Sequence, residues 1–276
     1  MSRFLLTFLL LVPGLFLRAQ VIGDLLEDES VLYAETKQVN QFFRRFNSEE
    51  DGNGERIYQE NPSFHNNHLR KQTIPLLFDK ESSSLNRSTE NKFIKDVTNN
   101  ADPVFLDFHG GEWFAEVLIN VNYQGSKKVA HLYLALQEES VGSKWVISRV
   151  YFEPFARQFF KDPEGTDKFL HPLSHELDFM NLSKVFRKQS QVEYYAYQNY
   201  IPDFLSIFIY EMKMNRIQFE GIKKVYFHFF QVEGYYFKLE EFNRPGFNNG
   251  WLITQLDQID AEKSYELLNT IYYEGQ

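Results

Sequence analysis

Apolar positions along the chain repeat first with the period of a helix and then with that of a strand, and this switch occurs twice. Val39, Phe42, Phe43 and Phe46 fall at i, i+3, i+4 and i+7, one face of a helix predicted over 25–47. Two shorter helices are predicted over 69–78 and 89–98, with Pro75 disturbing the first. Asp102-Pro103 marks the change of period. Beyond it Val117, Ile119 and Val121 form an alternating apolar series. In the next run His131, Tyr133 and Ala135 interleave with Leu132, Leu134 and Leu136, so both faces of that strand are expected to be covered.

These runs compose a cassette of strand, turn, strand, turn and Trp-strand: 113–123, a turn at Gly125, 129–137, then Gly142-Ser-Lys-Trp145-Val-Ile. It recurs as 222–232, a turn at Gly234, 235–242, then Asn249-Gly250-Trp251-Leu-Ile. Connections this short favour antiparallel pairing, because parallel strands need longer crossovers. Between the copies, Pro154, Pro163, Gly165 and Pro172 punctuate a polar stretch suited to a linker. Helices are predicted over 175–191, over 194–214 with a break at Pro202, and over 258–273. Helices preceding strands, twice over, predict an α+β fold of two tandem domains, each with helices packed on a curved antiparallel sheet. The expected boundaries are 20–155 for the first domain, 156–174 for the linker and 175–276 for the second domain.

The run Val39-Asn-Gln-Phe42-Phe43-Arg44-Arg45-Phe46-Asn47, the helices after it, and the sheet ending in Lys144-Trp145-Val-Ile resemble a secreted member of the nuclear-transport-factor-like (cystatin-like α+β) superfamily. The resemblance covers 33–153, and 174–257 more loosely, where the opening helices are fewer and differently spaced. It implies a sheet wrapped around a helix, enclosing a cavity that serves catalysis in some members and binding in others.

Residues 1–19 read as a cleavable secretory leader, with Arg3 in the basic region, an apolar stretch from Phe4 to Leu17, and Ala19 before the cut. The apolar run is shorter than the roughly 20 residues that span a bilayer, so no stable membrane insertion is expected after cleavage. A leader without a following Cys, on a chain with no Cys at all, fits a secreted or periplasmic bacterial protein that is not a lipoprotein. Without the leader, 27 basic residues face 38 acidic ones, a net charge of −11 that repels phosphate backbones and argues against nucleic-acid partners.

Candidate chemistry is sparse. An isomerase, cyclase or hydratase acting on a hydrophobic carbonyl compound in the first domain's cavity would need a carboxylate or imidazole base and a Tyr donor. Asp107, His109, Glu112, His131 and Tyr133 could supply them, although Asp107-Phe-His109-Gly-Gly-Glu112 also reads as an ordinary turn. His65 and His68, with Asp51 or Glu55, lack a defined third ligand, and no metal site is expected. No phosphate-binding loop or Ser elbow is present, so no cofactor is expected. Tyr197, Tyr200, Phe204 and Phe208 lie in an aromatic segment that could pack internally or meet a partner. The reading that follows is a non-catalytic binding protein for a protein or a small apolar ligand, with the enzyme as its alternative.

Overall fold

The computed structural model describes residues 39–52, 54–139, 142–159, 183–187, 189–197, 200–244 and 248–273. The expected leader, most of the expected linker and most of the helix expected over 175–191 lie outside these residues.

Helix α1 occupies 39–47 and buries Val39, Phe42, Phe43 and Phe46, the face its spacing predicts. Helix α2 runs Asn67–Thr73 and passes at Pro75 into a 3-10 turn, Ile74–Leu77; proline tolerates the start of a turn but not the interior of an α-helix. Helix α3, Arg87–Val97, begins where the Asn86 side chain accepts from the Ser88 amide. Strands β1 (Trp113–Tyr123), β2 (Ser126–Glu139) and β3 (Gly142–Tyr151) follow, then helix α4 (Glu153–Gln158) and a short helix α5 (Ser183–Arg187). Helix α6 (Phe204–Lys213), strands β4 (Ile217–Phe229), β5 (Tyr235–Phe242) and β6 (Gly250–Gln258), and helix α7 (Ala261–Ile271) complete the order.

All six strands form one antiparallel sheet in the order β3-β2-β1-β4-β5-β6. The expectation of two separate sheets, one per tandem domain, is therefore corrected: each cassette folds as a three-stranded meander, and the meanders join where β1 pairs with β4 along its full length, from Trp113↔Phe229 to Tyr123↔Ile217. Separate three-stranded sheets would each leave their first strand as an unpaired edge, and pairing β1 with β4 removes both edges. The α+β class stands.

On one face of the sheet, α1 and α3 pack against an aromatic core. Trp113, Phe229 and Phe237 stack across β1, β4 and β5 with ring centroids 5.4 and 4.7 Å apart, and Phe43 and Phe42 of α1 close over them. Trp145 and Trp251, from opposite ends of the sheet, both approach Phe227, at 6.2 and 4.7 Å. Arg70 is fully buried, and among the described residues no carboxylate pairs with it. Its guanidinium donates to the carbonyls of Phe46, Val97 and Val104, uniting the last turns of α1 and α3 where partial negative charge accumulates. Desolvation lowers its pKa to about 10, which leaves it charged at neutral pH.

Candidate functional site

The other face of the sheet carries a group of buried ionisable side chains. Glu116 of β1 points away from the aromatic core, between His131 on β2 and His228 on β4. The register places each imidazole diagonally across from the carboxylate, since Leu118 pairs with His131 and Phe114 with His228. His131 Nδ1 lies 2.7 Å from Glu116 Oε1, His228 Nε2 lies 3.0 Å from Glu116 Oε2, and His228 Nδ1 lies 2.9 Å from the Tyr236 hydroxyl. Helix α7 and the residues after it roof this row: the Tyr133 hydroxyl donates to the Ile271 carbonyl at 2.5 Å, Tyr272 packs on Phe114 and Tyr133, and Tyr273 stacks on Tyr151 beside His131.

Hydrogen-bond chemistry fixes the directions. An ionised carboxylate only accepts, so both imidazoles donate to Glu116, and His228 Nδ1 then accepts from Tyr236. Burial works to raise the Glu116 pKa, but the bonds and charges of His131 and His228 outweigh it and hold the group at about 2. Desolvation lowers the pKa of His228 despite its carboxylate partner. Burial, followed by the Glu116 charge, raises the Tyr133 pKa, and burial with the charges of Asp257 and Glu116 raises that of Tyr236. Donors converge on Glu116 from both sides, so the row is a sink for hydrogen bonds; passing a proton through it would require protonating a carboxylate that resists protonation. Its chemistry suits anchoring four strands, β2, β1, β4 and β5, under α7.

The residues singled out from sequence are dispersed. His131 and Tyr133 belong to this row. Asp107, His109 and Glu112 are exposed in the loop before β1. Asp107 Oδ1 accepts from the His109 amide, and His109 Nδ1 lies 3.0 Å from the Ser143 hydroxyl. An added Cβ at Gly110 would lie 2.5 Å from Asp107 Oδ2, so a side chain there would displace the exposed carboxylate from its place in the turn. His109 and Glu112 line a cleft of about 250 Å³ together with Trp113 and Tyr272, and neither is joined to His131 by a hydrogen bond. His65 bonds to Glu49 at 2.8 Å and lies between the rings of Phe64 and Phe105, whereas His68 meets Gln72, so these two histidines do not converge. Among the described residues, no three His, Asp or Glu side chains are arranged to hold a metal ion. Sequence reading missed Glu116, His228 and Tyr236; the polar Glu and His interrupting the apolar runs of β1 and β4 were the signal that could have found them.

The aromatic segment divides. Phe208 is buried and Phe204 packs on the core, while Tyr197 and Tyr200 are 77% and 46% exposed. Asp203 caps α6 by accepting from the Leu205 amide, which orients Phe204, Leu205 and Phe208 toward the core. The opposite face then presents Ile209, Tyr210 and Met212 to solvent, with Met214 beyond the last turn and Phe219 on the following strand. No described helix is long and apolar enough to cross a membrane.

Comparison with known protein families, characterised proteins and solved structures gives no match.

Proposed function

We propose that this chain is a secreted or periplasmic non-catalytic binding protein that engages another protein through the outer face of α6. The observation that carries this reading is the set of large apolar side chains on that face: Ile209, Tyr210, Met212 and Met214 are all about half exposed, and Tyr200 and Ile201 before the helix are exposed as well. Large apolar side chains gathered on one exposed helix end are costly in water and mark interaction sites, and methionine adapts its shape to a partner. Lys213 lies on the same helix, and Arg216 just beyond it is paired with Glu211 at 2.9 Å, so the fitting partner presents apolar side chains with a carboxylate for Lys213. Aromatic rings fill the face of the sheet that α1 and α3 cover, which favours a protein surface over a small apolar ligand. The packing of α1 and α3 against the sheet supports the nuclear-transport-factor-like reading, although α7 lies on the opposite face, and the repeated meander supports two related halves.

A photo-reactive amino acid at Tyr210 tests this, with Tyr265 on α7, another exposed tyrosine, as the control position. In the native envelope, position 210 is expected to cross-link one identifiable acidic protein, and Ile209→Asp is expected to abolish the product. Equal yields from both positions, or cross-links to lipid alone, would contradict the proposal.

A further inference from the structure

Both methionines of the described residues sit at the C-terminal end of α6. Met212 stands in the last turn and Met214 just beyond it, and each is 50% exposed. Methionine is ordinarily a core residue that fills irregular gaps. Among the described residues the buried core holds none, being built of Phe, Tyr, Trp, Leu, Ile, Val and Ala. The chain's other two methionines, Met1 and Met180, lie outside the described residues. The chain has no Cys, so no thiol of its own competes with these two exposed thioethers for an oxidant.

The neighbours of the two sulfurs give their oxidation a consequence. Ile209 precedes Met212 by three residues and Tyr210 precedes Met214 by four, and the Met214 amide still donates to the Tyr210 carbonyl at 3.0 Å, so the helical spacing holds to the end. Each methionine therefore shares a stripe with an exposed apolar side chain of the docking face.

We propose that Met212 and Met214 form a peroxide-sensitive modification site that releases the partner of α6 when oxidised. This rests on the reading of the outer face of α6 as a docking surface. The sulfur lone pair attacks one oxygen of hydrogen peroxide, an S–O bond forms and the O–O bond breaks. The proton on the transferred oxygen passes to the departing hydroxide, so the thioether is oxidised by two electrons to a sulfoxide and the peroxide is reduced to water. A sulfoxide is a polar acceptor, and burying it against apolar side chains without a donor opposes docking. Because the buried core of the described residues has no methionine, the oxidation alters this face and spares the fold. Methionine sulfoxide reductases reverse the change, one enzyme for each sulfoxide epimer.

The test uses the purified full chain with the photo-reactive amino acid at position 210, added to the native envelope fraction. It is compared untreated, after hydrogen peroxide and catalase, and after peroxide followed by both reductases. Mass spectrometry of peptides is expected to find one added oxygen on each of Met212 and Met214, with circular dichroism unchanged. Oxidation is expected to lower the cross-link yield about tenfold or more, and the reductases to restore it. Whatever yield Met212→Leu/Met214→Leu gives is expected to be the same before and after peroxide. No cross-link from the untreated protein would sink the docking reading and the switch with it. A yield indifferent to oxidation of both sulfurs would sink the switch alone. Sulfurs that resist peroxide, or an equal loss in the leucine variant, would also overturn the proposal.

Discussion

Glu116 gains its stability from two imidazoles on neighbouring strands, and this makes the fold sensitive to acid in a definite direction. Its pKa lies below the ordinary carboxylate value, so its contribution is full above about pH 4.5 and is lost as pH falls toward about 2. His228, whose folded pKa is depressed, resists protonation that the unfolded chain accepts, so stability begins to fall below about pH 6.5. Urea unfolding followed at stepwise lower pH should therefore show stability falling monotonically from pH 7. Glu116→Gln should cost about 2 kcal/mol at neutral pH and flatten the part of the loss below pH 4.5. A pH profile unchanged by the substitution would refute this role. The site was half legible in the sequence. His131 and Tyr133 stood out because they alternate with leucines, but Glu116 and His228 are far apart in the chain, and only the β1–β4 register brings them together.

Arg70 adds a charged clamp where Asn47, Phe46 and Phe93 already join the same elements: its guanidinium serves the carbonyl ends of α1 and α3 and the segment leading to β1. Arg70→Met keeps the volume but takes the side-chain donor from the carbonyls of Phe46 and Val104, while that of Val97 keeps the Val104 amide, and should cost about 2–4 kcal/mol in urea denaturation. A change within error of zero would mean that water replaces the guanidinium at no penalty. The helices themselves were read well where a single face was periodic. The Val39, Phe42, Phe43, Phe46 stripe is buried as its spacing predicts, and α3 and α7 fall within three residues of their expected limits. Helix α6 proved shorter than its aromatic run, because Pro202 and the Asp203 cap set its start. Which aromatics faced inward was not legible, since both faces of that helix are apolar.

The whole molecule departs from the sequence reading at one junction. Each meander was visible as short strands with tight turns, down to the limits of β1 and β5. Alternation records which face of a strand is covered but carries no information about which strand lies beside it, so the pairing of β1 with β4 across the connection went unread. This junction is the central claim, since it builds the buried row and sets the aromatic core. The absence of cysteine allows a direct measurement. Asn122 and Gln218 are cross-strand partners on β1 and β4, and the folded double variant Asn122→Cys/Gln218→Cys should oxidise to an intramolecular disulfide with its folded state preserved. Thiols that stay reduced in the folded protein, or pair only between molecules, would show that the two meanders do not share a sheet.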